Sequence, residues 1–268
     1  MEKTKLSVQE EKKIALDILL DFAEFCDAHD LQYFLAYGTL IGAIRHKGYI
    51  PWDDDIDVQM PREDYDRLIH IYNSEKKNQN FELIDPWSKR ARHSFVKIVD
   101  NRTVKVEPGI DYRNGYLGID IDVFPLDGMP SDDAKLDKWH RSLMRVYNMY
   151  LYCVLDTKKS LKRKIAVPLI RFFTGGKNAL LKKAMKLHAK YPYGSCEYVG
   201  SIESPWNNKR ERSKKSCFVD SVLVEFEGHL LKAPIGYHEI LTATFGDYMT
   251  PPEDQTTHHV NAAYLIEK

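Results

Sequence analysis

The sequence has little of what marks a disulfide-rich or zinc-binding protein. Its 268 residues include only four cysteines, which lie far apart and form no CxxC pair: Cys26, Cys153, Cys196 and Cys217. Scattered cysteines of this kind suit reduced thiols in a cytoplasm better than a disulfide framework or a zinc site. We therefore expect the protein to work in a reducing compartment.

Long hydrophobic runs are also missing. The longest nearly apolar stretch covers residues 33–44, is interrupted by glycines and is too short to span a bilayer. The N-terminal stretch MEKTKLSVQEEKK contains no apolar segment of the kind that secretory signals need. From these absences we expect a soluble, cytoplasmic protein.

Neither sign of charge is in excess. Lys and Arg together number 39, as do Asp and Glu, so the net charge gives no indication of a nucleic-acid partner. The hydrophobic share of 43% and the charged share of 29% are ordinary for a globular protein. Any electrostatic signal must therefore come from local clusters of charge.

Hydrophobic periodicity predicts an α+β fold. A helix is predicted over residues 8–28, and its start carries the Ser7 and Glu10 capping-box pattern. Strands are predicted over residues 31–37, 54–60, 81–85, 93–100, 103–107 and 116–124. Further helices are predicted over residues 39–46, 62–77 and 132–156. We predict a catalytic core over residues 1–130 and a mainly helical, acceptor-side region over residues 131–268, packed together as one unit.

Acidic residues crowd one of the predicted strands. Four aspartates fall within five positions: Asp53, Asp54, Asp55 and Asp57. Aspartate is depleted in strands, so this crowding needs a reason. Because strand side chains alternate, Asp53, Asp55 and Asp57 are predicted to share one face. Asp120 and Asp122 repeat the spacing in the segment GIDIDVF.

These aspartates predict a metal site. If the two strands are neighbours, Asp55, Asp57 and one of Asp120 or Asp122 converge. Magnesium prefers oxygen ligands and is often held by one or two carboxylates together with substrate phosphates. Three carboxylates can also hold two metal ions that support in-line phosphoryl displacement. We therefore predict a site for Mg²⁺ or Mn²⁺.

Three other interpretations of the aspartates are a solvated acidic loop, a calcium-binding EF-hand and the metal site of a glycosyltransferase. A solvated acidic loop is disfavoured by the apolar residues that separate the aspartates. A calcium-binding EF-hand is excluded because Val58 occupies the position that must be glycine. A glycosyltransferase in which an Asp-x-Asp pair holds the metal of a sugar nucleotide stays open.

A glycine turn and a basic segment precede the acidic strand. The Gly38-Thr39 turn opens a short helix, whose free backbone N–H groups suit a phosphate. Arg45 and Lys47 lie between this turn and the aspartates, where cations would stabilise charge on a leaving phosphate. A plain turn and a solvated helix end are the alternative. The neighbouring aspartates favour phosphate binding by these four residues.

Three segments together resemble the LicD family of phosphotransferases, to which the fukutin-related proteins are also similar. They are GTLIGAIRHKGYIPWDDDIDVQMPREDYDRL, IDIDVFPLDG and FGDYMTPP, the last followed by His258 and His259. The resemblance covers most of the chain. It implies a nucleotidyltransferase-like mixed sheet with flanking helices. Gly38-Thr39 would form the turn of that fold.

The resemblance also implies roles for individual aspartates. Asp55, Asp57 and Asp122 would be the acidic ligands, with Asp120 the alternative to Asp122. The sequence departs from the wider superfamily pattern, because Thr39 replaces a small residue and the spacing before Asp55 is longer. Both departures fit the LicD branch.

The implied activity is transfer of phosphocholine from CDP-choline to a hydroxyl of a cell-surface glycan precursor, with release of CMP. The acceptor would be a teichoic acid precursor or a lipopolysaccharide sugar, free or lipid-linked. Transfer from CDP-ribitol or CDP-glycerol, a metal-dependent glycosyltransferase and a true nucleotidyltransferase stay open. A non-catalytic choline- or glycan-binding module is disfavoured, because it needs no metal.

Two further features bear on the substrates. Aromatic faces bind quaternary ammonium groups well, and Trp52 is the best candidate for choline because it adjoins the acidic strand. The basic segment at residues 158–164, followed by IAVPLIRFF, predicts peripheral contact with the anionic inner face of a membrane. A solvated basic face is the alternative.

Overall fold

The computed structural model describes residues 3–106, 117–154, 161–201, 210–253, 255 and 262–266. His258 and His259, and the side chains of the basic segment at residues 158–164, lie outside the described residues. Among the helices that are described, none is both long enough and apolar enough to cross a membrane.

The described residues form seven α-helices and twelve strands. The helices are α1 (Val8–Ala28), α2 (Tyr37–His46), α3 (Arg62–Glu75), α4 (Asp133–Val154), α5 (Leu161–Thr174), α6 (Lys177–His188) and α7 (Tyr237–Phe245). The strands are β1 (Lys3–Lys5), β2 (Phe34–Leu35), β3 (Asp57–Pro61), β4 (Phe81–Ile84), β5 (Val96–Asp100), β6 (Thr103–Val106), β7 (Asp120–Met129), β8 (Tyr198–Gly200), β9 (Ser213–Lys214), β10 (Ser221–Phe226), β11 (His229–Pro234) and β12 (Ala262–Ile266).

The first helix forms as its sequence predicts. The Oγ of Ser7 accepts a hydrogen bond from the backbone N–H of Glu10 at 3.3 Å, and the Glu10 carboxylate accepts one from the Ser7 N–H at 2.8 Å. This reciprocal pair satisfies two backbone donors that the first turn leaves free. One face of α1 is buried in the main core, where Ile18, Phe22 and Cys26 have no exposed surface.

A mixed sheet lies at the centre of the protein. Its strand order is β2-β3-β7-β5-β4, and β8 and β9 extend it along the C-terminal part of β7. Strands β3 and β7 are parallel, whereas β2, β5 and β8 run antiparallel to their neighbours. The mixed sheet and its flanking helices agree with the predicted α+β class.

The two faces of the central sheet differ in chemistry. One face carries apolar side chains from β3, β5 and β7, such as Val58, Ile98 and Ile121, which are fully buried in the main core with α1. By strand alternation the opposite face carries Asp57 and Asp122 among its polar residues. We call this second surface the open face.

The region after residue 130 divides into two parts. Helices α4, α5 and α6 enclose a separate hydrophobic cluster around residues such as Leu136, Leu143 and Leu180. Beyond His188, the described residues form five strands, one α-helix and two short 3₁₀ helices. Strand β8 joins the central sheet, while β12 pairs with β1 and β6 from the N-terminal half. The mainly helical C-terminal half that the sequence predicted is therefore not confirmed.

Two predicted strands near the aspartates are shorter than expected. The first stops at Leu35, because Tyr37 already begins α2. Strand β3 begins only at Asp57, so Asp53 and Asp55 lie in the loop before it. The prediction that Asp53, Asp55 and Asp57 share one strand face is wrong. Adjacent carboxylates repel each other and suit a partly solvated loop better than a paired strand.

Candidate active site

Asp57 and Asp122 are brought together by strand pairing. Asp57 begins β3 and lies directly opposite Asp122 on the parallel strand β7. Residues opposite each other on neighbouring strands point to the same face, so both carboxylates belong to the open face. Lys97 on β5 lies opposite Asp122 on its other side. Three adjacent strands thus contribute charged groups to one place.

Thr39 holds the backbone that carries two of the aspartates. Its buried Oγ1 accepts a hydrogen bond from the Asp57 N–H at 2.9 Å and donates one to the Asp55 carbonyl at 3.5 Å. The Ala36 N–H donates to the Asp57 carbonyl at 3.0 Å. The turn predicted to bind phosphate therefore also positions the start of β3.

Gly38 allows the acidic loop to approach α2. A side chain at Gly38 would place its Cβ 2.4 Å from the Oδ2 atom of Asp53, which no real Cβ tolerates. Glycine therefore leaves room for the Asp53 carboxylate to pack against the first turn of the helix, and a larger residue would displace that carboxylate. The amino end of a helix favours a negative charge, so this contact also suits the carboxylate.

The loop aspartates form a cluster with room for a cation. Carboxylate oxygens of Asp53, Asp54 and Asp55 all lie within 4.8 Å of one another. The Asp55 side chain is 65% exposed. Burial, followed by the charges of Asp55 and Asp54, raises the pKa of Asp53. The loop therefore brings negative charge to the same end of the sheet as Asp57.

The pKa values of Asp57 and Asp122 show a shortage of positive charge. Burial, and then the charges of Asp122, Asp55 and Asp53, raise the pKa of Asp57 well above its ordinary value. Burial raises the pKa of Asp122 to about 7, although Lys97 opposes the shift. Such a pair is relieved by a cation between its carboxylates. Carboxylate oxygens are the ligands that a hard divalent ion prefers. Among the described residues, the carboxylates close enough to share one ion are those of Asp53, Asp54 and Asp55, not the predicted set of Asp55, Asp57 and Asp122.

Asp120 and Asp122 differ in their ion pairs and in their exposure. Lys97 forms salt bridges with both aspartates, and the Lys105 Nζ lies 3.5 Å from Asp120 and 3.9 Å from Asp55. Burial acts to raise the pKa of Asp120, but Lys97 and Lys105 outweigh it and hold the pKa below its ordinary range. The Asp120 side chain is 5% exposed, against 21% for Asp122. Asp122 is therefore the more accessible of the two.

Comparisons with known proteins identify the family of this chain. Residues 30–144 match the family described as LicD/FKTN/FKRP, nucleotidyltransferase domain. Over 98% of its length the chain is 33% identical to the lipopolysaccharide cholinephosphotransferase LicD of Haemophilus influenzae, and the match covers 99% of that protein. The chain belongs to the LicD family. The resemblance of its motifs is thereby confirmed, and the named bacterial relative is a phosphotransferase.

More distant relatives match only part of the LicD-family chain. The ribitol 5-phosphate transferase FKRP of Mus musculus is 27% identical over 112 residues, which are 41% of this chain and 20% of the mouse protein. The mannosyltransferase regulator 4 of Saccharomyces cerevisiae is 29% identical over 118 residues, 42% of this chain and 9% of the yeast protein. The matched family domain contains all the aspartates of the site, from Asp53 to Asp122.

The structure gives three residues predicted for this LicD-family site, Arg45, Lys47 and Trp52, partners other than the aspartates. Arg45 donates to the Tyr248 carbonyl at 2.7 Å, and its guanidinium lies 5.9 Å from the centre of the Trp52 ring. Lys47 ends α2 in a left-handed conformation and pairs with Glu225 of β10 at 3.0 Å. Within the described residues, neither cation forms a salt bridge with the acidic cluster.

The cations that do reach the aspartates were missed by the sequence reasoning. Lys97 and Lys105 both contact Asp120. A weak signal for Lys97 was available, because it stands in the middle of a predicted strand between two apolar residues, Val96 and Ile98. A lysine in that position needs a partner on its own face. Which partner it finds depends on the strand order, which the local pattern does not contain.

Proposed function

We propose that this protein transfers phosphocholine from CDP-choline to a hydroxyl of a cell-surface glycan precursor and releases CMP. The observation that carries the proposal is the similarity over nearly the whole chain to a lipopolysaccharide cholinephosphotransferase. The acceptor is a lipopolysaccharide sugar or a teichoic acid precursor, free or lipid-linked. Transfer from CDP-ribitol is the second candidate, because FKRP is a ribitol 5-phosphate transferase.

The carboxylates support a metal-assisted displacement. Asp55, Asp57 and Asp122 would hold Mg²⁺ or Mn²⁺, and the accessibility of Asp122 favours it over Asp120 as the third ligand. When bound, the ion neutralises charge on the phosphates of the donor. Asp120 keeps Lys97 and Lys105 in place beside the site. Their ammonium groups add positive charge where the leaving phosphate departs.

The proton of the acceptor hydroxyl needs a base. A bond forms between the acceptor oxygen and the phosphorus of phosphocholine, and the bond from that phosphorus to the oxygen of CMP breaks. Asp122 lies on the open face beside Asp57 and would accept the proton. Backbone N–H groups at Gly38 and Thr39, together with Arg45 and Lys47, would face the phosphates from the α2 side.

The first experiment is a ligand-induced thermal shift, which needs no acceptor. The panel is CDP-choline, CDP-ribitol, CDP-glycerol, UDP-glucose and CTP, each with magnesium and with a chelator. We expect CDP-choline with magnesium to raise the unfolding temperature most. A shift with CDP-ribitol would favour the second candidate, one with UDP-glucose a glycosyltransferase, and one with CTP a nucleotidyltransferase. An equal shift with chelator would remove the metal from the proposal.

A membrane-bound acceptor would be reached through α5. Phe172 and Phe173 are 82% and 79% exposed, and the exposed Arg171 lies beside them. Large exposed apolar residues next to a cation are typical of helices that lie in the interface of an anionic bilayer. We therefore propose that α5 contacts the cytoplasmic surface of a membrane that carries the acceptor.

A further inference from the structure

An aromatic surface continues the open face beyond the carboxylates. The rings of Phe95 and Phe124 lie 4.4 Å apart, and the Tyr37 ring meets Phe124 edge-on at 5.5 Å. Phe124 follows Asp122 by two residues on β7, so both side chains point to the same face. We call these three rings, Tyr37, Phe95 and Phe124, the aromatic wall.

The aromatic wall is partly exposed and lies outside the hydrophobic clusters of the core. All three rings are only half-buried, and in the described part of the chain none of them belongs to a hydrophobic core cluster. Aromatic side chains that cluster on a surface without packing into a core usually serve binding. We therefore interpret the aromatic wall as a ligand-binding surface.

A carboxylate lies behind one of the rings. The Tyr37 hydroxyl donates to the Glu211 carboxylate at 2.9 Å and accepts a hydrogen bond from the Gln59 amide at 3.0 Å. Burial raises the pKa of Glu211 to about 7, and the bond from Tyr37 only partly opposes this shift. A buried acid of this kind gains most from a nearby positive charge.

The backbone of Tyr37 indicates that its position matters. Its φ angle is 45°, in the left-handed region that residues with side chains seldom adopt. This conformation costs free energy and persists only where the surroundings enforce it. It begins α2 with the Tyr37 ring directed at Phe124 and its hydroxyl at Glu211.

The spacing of the wall from the carboxylates matches phosphocholine. Phe124 lies opposite Gln59, and these residues follow Asp122 and Asp57 by two positions on their strands. Two residues of strand span about 7 Å. In phosphocholine one oxygen and two carbons separate the phosphorus from the nitrogen. A phosphate held at Asp57 and Asp122 therefore brings its ammonium group within reach of Phe124.

Trp52 is less suited to binding the ammonium group of choline. Its ring packs against the main core, and the Arg45 guanidinium already lies over it at 5.9 Å. Among the described residues, no Lys or Arg lies over the rings of Tyr37 or Phe124, whereas Lys97 lies 5.7 Å from the centre of Phe95. The first two rings thus present faces that a ligand cation can occupy.

We propose that the rings of Tyr37 and Phe124, with Phe95 packed against Phe124 and Glu211 as the counter-ion, form the pocket that receives the trimethylammonium group of choline. This inference rests on the proposed function. Aromatic faces attract quaternary ammonium groups through their negative quadrupole, and a carboxylate adds the opposite charge. The pocket would distinguish choline from uncharged alcohols and from primary amines, which are more strongly hydrated.

The test compares CDP-alcohols that differ only in the alcohol, together with CMP, which lacks the transferred phosphocholine. Equilibrium binding of CDP-choline, CDP-ethanolamine, CDP-ribitol and CMP, all with magnesium, is measured for the wild type, Phe124→Leu and Glu211→Gln. We expect each substitution to weaken CDP-choline binding about tenfold and to leave CMP binding within twofold. Trp87→Leu is the matched control, because Trp87 is 41% exposed and lies outside the wall.

The possible outcomes separate the two proposals. If the wild type binds CDP-ribitol and not CDP-choline, the proposed function fails. If the wild type prefers CDP-choline but Phe124→Leu weakens CDP-choline and CMP equally, the rings stack the cytosine base and the pocket assignment is overturned. Phe124→Tyr keeps an aromatic face and should restore the preference. If both Phe124→Leu and Glu211→Gln bind CDP-choline like the wild type, the pocket lies elsewhere.

Discussion

Asp57 and Asp122 lie directly opposite each other on parallel strands, and both carboxylates face the open side of the central sheet. The chain between them forms α3 and strands β4 to β6, which return it to the sheet in the parallel direction. Parallel neighbours always require such a crossover. Backbone pairing thus holds together two carboxylates that repel each other. A bound cation would relieve this repulsion.

The first prediction concerns the paired carboxylates. Asp57→Asn and Asp122→Asn should each lower the rate of CMP release by about a hundredfold or more, since several kcal/mol of charge stabilisation depend on the bound ion. In chelator, Asp57→Asn should raise the unfolding temperature, because it removes one of two repelling carboxylates. Glu24→Gln on α1, 69% exposed, is the control. Near-wild-type turnover of Asp57→Asn would refute the metal assignment.

Asp120 is expected to behave in the opposite way. Asp120→Asn leaves Lys97 and Lys105 short of a buried partner, so it should lower the free energy of unfolding by about 3 kcal/mol. Urea denaturation in chelator measures this difference. The contrast with Asp57→Asn, which should stabilise, is the sharpest part of the prediction. Equal stability of the Asp120→Asn variant and the wild type would show that the lysines are satisfied by other groups.

Thr39 is predicted to act as a positioning residue. Thr39→Val removes the hydroxyl that accepts from the Asp57 N–H and should raise the magnesium concentration needed for half-maximal activity about tenfold. Thr39→Ser keeps the hydroxyl and should restore the wild-type magnesium response. The titration is followed by CMP release at saturating donor. A purely structural role would lower stability in the valine variant without changing the magnesium response.

A buried ion network should make stability depend on pH. Asp127 accepts two hydrogen bonds from Arg62, at 2.6 and 2.8 Å, and lies 2.9 Å from the Nδ1 atom of His188. Burial acts to raise the pKa of Asp127, but Arg62 and His188 outweigh it and lower the pKa below its ordinary range.

The sign of the effect follows from this lowered pKa. Asp127 stabilises the fold above the ordinary aspartate pKa of about 3.9, and this contribution is lost as the pH falls further. Asp127→Asn should cost about 3 kcal/mol at pH 7. It should also flatten the loss of stability between about pH 4 and pH 2, because there the carboxylate binds a proton in the unfolded state more readily than in the folded state. Urea unfolding across this range tests it. Parallel curves for both proteins would contradict the assignment.

The last prediction concerns α5. Replacing Phe172 and Phe173 together with serine should weaken binding to vesicles that contain phosphatidylglycerol about tenfold or more, since two exposed apolar side chains lose their contact with lipid. Co-sedimentation measures the bound fraction. Leu223→Ser on β10, where the side chain is 62% exposed, is the matched control. Equal binding of both variants would place any membrane contact elsewhere.

Local patterns predicted the helices better than the strands. The Ser7 and Glu10 pair marked the start of α1, and hydrophobic spacing marked its buried stripe. The same reasoning extended the acidic strand three residues too far, to Asp54, because period-2 alternation also occurs in loops. It also assigned a loop-rich segment around β8 and no element at β12, although both strands complete distant sheets. Strand partners lie far away in sequence, so a local window does not identify them.

The sequence by itself determined that this protein carries an acidic site: Asp55, Asp57 and Asp122 could be named from their spacing and from the resemblance of their motifs. Only the tertiary structure decided which lysine pairs with which of these aspartates. Strand β5 brings Lys97 to both Asp120 and Asp122, while Lys105 lies beside Asp120. The physical reason is that neutralisation depends on distances of a few ångströms across strands, and those distances are set by sheet order and register.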